Sequence, residues 1–374
     1  MRLTYRSLPA VLALIMGAAA SASAQQHLEG IAGPGALYAI DVPAAWNGDL
    51  VLYAHGIVDP ALPVALPSAQ DDFARLSTAL LGRGFAVASS SFSENGFALK
   101  DAAQRIHQLV GLFTARVTRP RRVLLAGHSL GAMAALSLAE THPEQFDGAL
   151  IMCGFISGTS REIEYVASAR TAFDYFFPGV IPGSTFSIPD GVDFRPGTAL
   201  FMQVQAALVG GFAPPYHTVQ FAGVAGLPGT GPAEIVASAL NVLGFNLRYT
   251  RDLLRRTQGH IPFDNRTVVY SGSFDDVALN AGIGRWTGDR DAIHEMAKYY
   301  TPTGQPQIPI QTLHSDRDPV VPLWHEDLYR QLATHEGSAG RLEQQVVSGF
   351  GHCAFGQAEV LAAFDRLVER VDER

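Results

Sequence analysis

The segment VLLAGHSLGAMAALSLAE, residues 123–140, constrains the fold of this chain more than any other segment. Residues 123–126 form a short apolar run of β-branched and leucine residues, which is typical of a buried strand. Residues 130–140 are rich in Leu, Ala and Met and favour a helix, which the following Pro143 ends. Ser129 lies at the junction, with a glycine two residues away on either side. A strand that turns at once into a helix strains the backbone at the junction, and the glycines leave room for close approach.

The pattern Gly-x-Ser-x-Gly between a strand and a helix lifts a serine hydroxyl above the edge of a sheet. It also directs the first N–H groups of the helix, including that of Leu130, to where a negatively charged oxygen would form. Glycine accounts for 37 of 374 residues, so a chance match is the alternative. The position between a predicted strand and a predicted helix favours Ser129 as a nucleophile.

A serine hydroxyl is a weak nucleophile by itself, so a base and an orienting acid are expected downstream. The segment IPIQTLHSDRDPVVP predicts a strand over 308–313, followed by a loop that carries Asp316 and Asp318. The segment RLEQQVVSGFGHCAF predicts a last strand over 342–347, followed by a loop and His352. An acid and a histidine therefore each follow a late strand.

Four motifs in this order, YAHG, GHSLG, DRDPVVP and GHCAF, resemble those of serine hydrolases with the α/β-hydrolase fold. The resemblance covers about residues 30–154 and 307–371. It implies a mostly parallel, doubly wound α/β sheet, with a mainly helical cap inserted before the strand that leads to the acid. It also implies the chain order serine, acid, histidine.

The resulting domain prediction has three parts. Residues 1–24 are a signal peptide, 25–154 and 307–374 form the hydrolase core, and 155–306 form the cap. In the cap, Thr159 and Glu162 have the spacing of a capping box, which predicts a helix start. A second helix is predicted with Pro232 in its first turn, and a third over 288–300. The Gly- and Pro-rich segment 210–231 is predicted to be a loop. The aromatic residues of the cap are interpreted as packing residues, with pocket lining as the alternative.

Two carboxylates compete for the role of the acid. In the resembled family the acid commonly precedes a short apolar stretch that ends in proline, and DPVVP therefore favours Asp318. A turn residue before Pro319 is the alternative for Asp318. Asp316 is interpreted as a solvated loop residue.

The same resemblance favours His352 as the base among several histidines. His128 is expected to point away from Ser129 and to pack under the turn. His314 is interpreted as a satisfied, partly buried residue, and His325 as a surface residue of a helix. No His or Cys pattern with the spacing of a metal site is present, so neither a metal nor a cofactor is predicted.

The resemblance places the second oxyanion donor in the loop after the strand GDLVLYA, at the backbone N–H of Ile57, which would act together with that of Leu130. A backbone donor requires no particular side chain. An ordinary turn after Gly56 is therefore the alternative.

The first residues predict export. Arg2 and Arg6 precede an apolar run over 8–20 that is too short to span a bilayer, and Ala-Ser-Ala at 22–24 is typical of a cleavage site. An uncleaved anchor is the alternative. Cleavage removes two arginines and no acid, which takes the formal charge from −8 to −10. An acidic chain disfavours nucleic acid and anionic membranes as partners. The prediction is a secreted or periplasmic protein without a stable membrane anchor.

The two cysteines, Cys153 and Cys353, each follow a predicted strand at the same edge of the sheet. The strand that leads to Asp318 is expected between theirs, and two strand spacings separate the cysteines by about 10 Å. That distance is too long for a disulfide unless the loops approach each other. Two buried thiols are therefore the favoured prediction, with a disulfide as the alternative.

These features predict a secreted enzyme that cleaves carboxylic esters, of small molecules or of a polymer, with Ser129, Asp318 and His352. A serine peptidase or amidase and an acyltransferase of the same fold are alternatives. A binding protein on an inactive hydrolase scaffold is a further alternative, against which the three residues argue. Fold alone does not choose among them.

Overall fold

The computed structural model describes residues 24–67, 72–299 and 301–373. The predicted signal peptide lies outside these residues, except for Ala24. Eight strands of the described chain form one sheet: β1 (Ala24–Gly33), β2 (Ala36–Pro43), β3 (Asp49–Ala54), β4 (Ala86–Ser90), β5 (Arg122–His128), β6 (Gly148–Met152), β7 (Ile310–Arg317) and β8 (Leu342–Phe350). Their order is β1-β2-β4-β3-β5-β6-β7-β8. β2 is antiparallel to both of its neighbours, and every other pair is parallel. The predicted mostly parallel sheet is confirmed.

Eleven α-helices accompany the sheet in the described chain: α1 (Asp72–Gly82), α2 (Leu99–Arg116), α3 (Leu130–Thr141), α4 (Thr159–Phe176), α5 (Ala199–Gly210), α6 (His217–Ala225), α7 (Pro232–Arg256), α8 (Asp276–Gly282), α9 (Arg290–Tyr299), α10 (Trp324–His335) and α11 (Gln357–Asp372). Helices α2 and α3 pack on one face of the sheet, and α1 and α11 pack on the other. Successive side chains of β3 pack on opposite faces of the sheet. Leu50 and Leu52 belong to the apolar core on one face, and Val51 and Tyr53 belong to the core on the other. This alternation is the period-2 geometry of a strand buried on both faces.

Helices α4 to α9 all lie between β6 and β7 in the chain and form a mainly helical insertion. The insertion has its own apolar core, in which the rings of Phe173, Phe177 and Phe221 are buried and contact one another. These aromatic residues therefore pack the insertion. The boundaries 155–306 of a separate cap stay a prediction.

Three local expectations for the insertion can be compared with the structure. Pro232 is the first residue of α7, as predicted. The capping box at Thr159 is wrong, because Gly158 is the N-cap and the Glu162 side chain is buried against another helix. The loop predicted over 210–231 is also wrong, since α6 forms within it. Burial of Phe221 against the insertion core outweighs the glycines and prolines around it.

Polar contacts attach the insertion to the sheet. The Phe97 N–H donates to Asp252 Oδ2 at 2.7 Å, and Arg256 Nη1 lies 2.8 Å from Glu94 Oε1. The Tyr165 hydroxyl donates to the Pro319 carbonyl oxygen at 2.9 Å, next to the loop that follows β7. The insertion is therefore anchored beside the loops at the carboxyl ends of the parallel strands.

Within the described residues, no helix has the length and apolar character needed to cross a membrane.

Candidate active site

Ser129 lies at the sharp junction between β5 and α3. Its backbone has φ +53° and ψ −123°, outside the regions that ordinary residues adopt. The chains are too close here for a side chain at the flanking glycines. A Cβ at Gly131 would lie 2.1 Å from the Ala54 carbonyl oxygen, and one at Gly127 would lie 2.3 Å from that of Gly131. The glycines are therefore required by the close contact between these backbone segments.

The structure brings Ser129, His352 and Asp318 together. His352 Nε2 lies 2.8 Å from Ser129 Oγ, and His352 Nδ1 donates to Asp318 Oδ2 at 2.7 Å. Asp318 is 1 % exposed, whereas the His352 side chain is 23 % exposed. The other carboxylate oxygen of Asp318 accepts the N–H groups of Val320 and Val321, each at 2.9 Å. These two bonds and His352 fix the carboxylate in one orientation.

Asp316, the competing carboxylate, points elsewhere. It lies 3.2 Å from Arg317 Nη1 and accepts the Gly349 N–H at 2.9 Å. The DPVVP interpretation therefore selected the residue that contacts His352. The catalytic roles of these residues stay a prediction at this point.

The two predicted oxyanion donors lie on either side of Ser129. Leu130 is the first residue of α3, and Ile57 follows Gly56 in the loop after β3. First-turn N–H groups of a helix have no partner inside the helix. In the described part of the chain, neither the Leu130 N–H nor the Ile57 N–H has a hydrogen-bond acceptor. Both groups are therefore available to a bound oxygen.

His128 points away from Ser129, as expected, and packs under the loop after β3. Its Nε2 accepts the Gly56 N–H at 3.2 Å, and its Nδ1 lies 2.5 Å from Tyr53 Oη. Burial, followed by the charges of His352 and His55, lowers the pKa of His128 to about 3. The ring is therefore neutral at neutral pH.

His314 is completely buried behind Asp318. Its Nε2 donates to the Val321 carbonyl oxygen at 2.8 Å, and its Nδ1 lies 3.4 Å from Glu326 Oε1. Burial opposes a charge on this ring, but the contact with Glu326 and the charge of that carboxylate outweigh burial and raise the pKa of His314. The expectation of a satisfied, partly buried histidine is therefore wrong in two respects, because the ring is fully buried and its Nδ1 has no hydrogen bond of normal geometry.

The surface position predicted for His325 is wrong. Its side chain is fully buried, its Nε2 lies 3.1 Å from Glu162 Oε2, and its Nδ1 lies 2.6 Å from Ser157 Oγ. The cause is tertiary, because the start of α4 packs against the first turn of α10 and covers the ring. Burial, followed by the charge of Asp318, raises the pKa of Glu162, while burial and then the charge of His314 lower that of His325. Sequence reasoning missed this second serine–histidine–carboxylate array.

The prediction of two buried thiols is wrong as well, because Cys153 and Cys353 form a disulfide with a Cα–Cα distance of 5.3 Å. The strand between theirs is present, as predicted, but the loops approach each other over its end. The Cys153 N–H donates to the Leu313 carbonyl oxygen of β7 at 2.8 Å. After β8, the Gly351 N–H donates to the Arg317 carbonyl oxygen at 3.0 Å, beyond an irregular register in the β7–β8 pair. Both loops therefore bend toward β7.

Both cysteines of the disulfide lie next to residues of the candidate site. Cys353 follows His352 directly, and Cys153 follows Met152, whose carbonyl oxygen accepts the Ser129 N–H at 2.9 Å. In the described chain, one group of His, Cys and acidic side chains has the spacing of metal ligands, and it consists of Cys153, His352 and Cys353. Its two sulfur atoms are bonded to each other, so this group offers no thiolate ligand.

A groove of about 760 Å³ borders the candidate site. It touches three segments of the site, at Ile57, at His128 beside Ser129, and at Cys353 beside His352. The other lining residues are mainly apolar: Tyr53, His55, Gly56, Val58, Leu62, Pro63, Ala65, Leu66, Pro67, Leu76, Met152, Phe355 and Val360. None of the described lining residues is Asp, Glu, Lys or Arg.

Known esterases are similar to this chain in sequence or in structure. Residues 55–201, which include Ser129, match the sequence model of the Esterase family. The feruloyl esterase B of Aspergillus oryzae has a similar structure, with a TM-score of 0.51 and 16 % identity, covering 88 % of this chain and 73 % of that one. An esterase of Pyrococcus furiosus aligns with a TM-score of 0.49 and 10 % identity over 93 % and 90 % of the two chains. No curated protein matches the chain.

At such low identity the structural likeness to the Aspergillus enzyme concerns the fold, and the sequence model concerns the class of activity. The chain therefore has the α/β-hydrolase fold, and its residues 55–201 are similar to a family of esterases, enzymes that hydrolyse carboxylic esters.

Proposed function

We propose that the chain is an exported esterase that hydrolyses its substrate through Ser129, His352 and Asp318 and an acyl-enzyme intermediate. The observation that carries this proposal is the position of His352, which lies 2.8 Å from Ser129 Oγ and 2.7 Å from Asp318 Oδ2. These are the contacts that a general base requires with its nucleophile and with its orienting acid.

In the first half-reaction, His352 Nε2 takes the proton of Ser129 as the serine oxygen bonds to the ester carbonyl carbon. The electron pair of the carbonyl moves to its oxygen, which the N–H groups of Leu130 and Ile57 stabilise. Each such donor typically contributes about 3 kcal/mol to transition-state stabilisation. The carbon–oxygen bond to the alcohol then breaks, and the imidazolium of His352 returns its proton to the leaving alcohol.

In the second half-reaction, water attacks the acyl-serine while His352 accepts a proton from it. The acid is released when the serine oxygen leaves and regains a proton from His352. Asp318 holds the Nδ1–H tautomer in both halves and stabilises the transient positive charge of the ring. Its burial and its two backbone N–H bonds keep the carboxylate in that orientation.

The groove beside the site supports a substrate with an uncharged, apolar part. It borders the segments that carry Ser129, Ile57 and His352, and it contains no formally charged side chain among its described lining residues. Burying a charged group there without a partner would be costly. A neutral acyl or alcohol portion therefore fits this groove better than a charged one.

Export is the second part of the proposal. Residues 1–24 have the charge, apolar run and small-residue site of a signal peptide. The disulfide supports an oxidising compartment, because such bonds are rare in reducing cytosol. Sequencing of the N-terminus of protein recovered from the periplasm or medium should give Gln25 as the first residue. An intact Met1 in that protein would contradict cleavage.

The decisive experiment is intact-mass analysis of the mature protein after reaction with a fluorophosphonate, alongside hydrolysis of aryl esters of increasing acyl length. We expect one adduct, mapped to Ser129 by peptide sequencing, and a rate that peaks at an intermediate chain length. A peptide and an alcohol acceptor assayed in parallel would identify a peptidase or an acyltransferase. Folded protein without an adduct would overturn the proposal and favour a binding protein.

A further inference from the structure

We propose that His128 is a positioning residue for the oxyanion hole, because its imidazole holds the loop that carries the Ile57 N–H in register with Ser129. This inference rests on the proposed function and adds a residue to it. His128 does not contact the reacting atoms. It acts through the backbone of Gly56, to which it is hydrogen-bonded.

The direction of the hydrogen bonds follows from their chemistry. The Gly56 N–H is a donor and lies 3.2 Å from His128 Nε2, so this nitrogen must be the unprotonated one. The proton of the neutral ring is therefore on Nδ1, 2.5 Å from the Tyr53 hydroxyl oxygen. A protonated His128 would carry hydrogen on both nitrogens and would lose its bond to Gly56. Burial keeps the pKa of His128 low, at about 3, so the bonded form persists across the neutral range.

A second histidine holds the next peptide of the same loop. The Gly56 carbonyl oxygen accepts the His55 Nδ1–H at 2.7 Å, and the His55 ring stacks on Phe92 with centroids 3.8 Å apart. The Gly56 carbonyl and the Ile57 N–H belong to one trans peptide, in which they point in opposite directions. Fixing the carbonyl toward His55 therefore directs the Ile57 N–H away from it. His128 fixes the preceding peptide, so the two rings together determine the orientation of the donor.

His128 also sets the distance between the loop and the nucleophile. It precedes Ser129 in the chain, and it contacts Gly56 so closely that a Cβ on Gly56 would lie 2.8 Å from its Nε2. The same Cβ would lie 3.3 Å from the Ser129 Cβ. A single side chain thus joins the segment that carries the nucleophile to the loop that carries the donor. Displacing a donor by a fraction of an ångström weakens its bond to the oxyanion, which forms only in the transition state.

The test compares two amide substitutions of the mature enzyme. In His128→Gln the side-chain oxygen reaches the position of Nε2 and accepts the Gly56 N–H. In His128→Asn the oxygen falls short of Gly56. Removal of a whole oxyanion donor typically costs about 100- to 1000-fold in kcat, so we expect misplacement in His128→Asn to lower kcat by about 10- to 100-fold. KM for a short aryl ester should stay within about 3-fold, and affinity for an alkylboronic acid should fall with kcat. His128→Gln should recover most of both losses.

Equal kcat values for His128→Asn and His128→Gln would overturn the inference, as would a His128→Asn enzyme within about 2-fold of wild type. If His128→Asn fails to fold by circular dichroism, the apolar His128→Leu replaces it, with the same expected loss and the same overturning result. Fluorophosphonate labelling of the wild type separates this inference from the proposed function. An unlabelled Ser129 refutes the function, whereas a labelled Ser129 with no effect of His128→Asn refutes only the role of His128.

Discussion

Two serine–histidine–carboxylate arrays lie in the same molecule, Ser129–His352–Asp318 and Ser157–His325–Glu162. Their distances are similar, since each histidine lies within 3.1 Å of its serine oxygen and of its carboxylate. Both arrays have a carboxylate that is almost completely buried. Spacing alone therefore does not distinguish a reactive array from a structural one.

The backbone around the two serines differs. Ser129 is the N-cap of α3 and has a positive φ angle, and the N–H of the next residue, Leu130, is available to an oxyanion. Ser157 directs its own N–H toward His325 Nδ1, at 3.3 Å, which is the same nitrogen that its hydroxyl contacts. Its backbone is therefore used to hold the histidine. The array of Ser157, His325 and Glu162 joins the start of α4 to α10. Its role is therefore structural, and we call this array the clamp.

The charges of the two arrays also differ. Asp318 accepts two backbone N–H groups in addition to His352. Glu162 has a pKa raised first by burial and then by the charge of Asp318, and His325 has a pKa lowered first by burial and then by the charge of His314. Glu162 and His325 therefore form a neutral pair, which cannot stabilise an imidazolium during a reaction. A reactive array needs an ionised acid and an accessible base as well as the correct distances.

The largest effect expected is that of removing the nucleophile. Ser129→Ala should lower kcat by at least about 10⁴-fold, because the acyl-enzyme can no longer form. Ser157→Ala should leave kcat within about 3-fold of the wild type, since that serine serves the clamp. Both are measured as turnover of an aryl ester by protein of equal thermal stability. A large loss of kcat in a folded Ser157→Ala enzyme would break the distinction between the arrays.

The second test replaces the carboxylates by their amides. Asp318→Asn should lower kcat by about 10⁴-fold, because the amide holds the wrong tautomer of His352 and leaves its charge unbalanced. Glu162→Gln should change kcat by less than about 3-fold, because a neutral side chain replaces a neutral acid of the same shape. Comparable losses in the two variants would show that Glu162 is ionised and linked to the reaction.

A smaller effect is expected from the disulfide, in which Cys353 directly follows His352 of the first array. Cys353→Ser with Cys153→Ser should lower kcat by about 10-fold, because the loop that carries His352 gains freedom. The bond closes a 200-residue separation, so its loss should lower the free energy of unfolding by about 3–5 kcal/mol. Denaturant unfolding and turnover at 20 °C measure the two effects. An oxidised and a double-serine enzyme with equal kcat would contradict a positioning role for the bond.

The smallest effect concerns the pH dependence of stability. Above its ordinary pKa of about 4.5, Glu162 is ionised in the unfolded chain and neutral in the folded one, so its contribution to stability decreases as pH rises. His325 has the opposite sign, because below about 6.5 the unfolded chain binds a proton that folded His325 does not. The two contributions oppose each other between pH 4.5 and 6.5 in the wild type.

Single amide variants should show separately how each residue changes the free energy of unfolding with pH. In Glu162→Gln the free energy of unfolding should fall more steeply than in the wild type as pH is lowered from 6.5 to 4.5. In His325→Gln it should fall less steeply or rise. Each difference has an upper limit of about 1.4 kcal/mol per pH unit, the value for one proton. Urea unfolding at four pH values measures both, and parallel curves for the three proteins would refute a neutral pair.

Much of the core and of the candidate site could be predicted because the decisive signals are local. The junction at Ser129 has a turn pattern between a run with strand character and one with helix character, and β5 and α3 form there. Asp318 and His352 each follow a predicted strand, and parallel strands bring such loops to one edge of the sheet. The assignment needed no knowledge of the insertion.

The errors have a different origin, in contacts between distant segments. His325 and Glu162 are 163 residues apart, and neither lies in a pattern that indicates burial until α4 packs on α10. The disulfide depends on the path of the chain around the end of β7, where the register with β8 is irregular. Helix α6 forms in a segment rich in glycine and proline because its Phe221 enters an apolar core. None of these contacts has a local signal in the sequence.

The insertion leaves the sheet after β6 and returns to it at β7, and these two strands are paired neighbours. Closing a loop costs entropy that grows only with the logarithm of its length. A connection of about 150 residues therefore costs about 2 kcal/mol more than one of ten. In evolutionary terms, the segment between β6 and β7 is free to lengthen, shorten or be replaced with little effect on the pairing of the sheet. The strands and the residues around Ser129 can therefore remain unchanged while the length of the insertion changes.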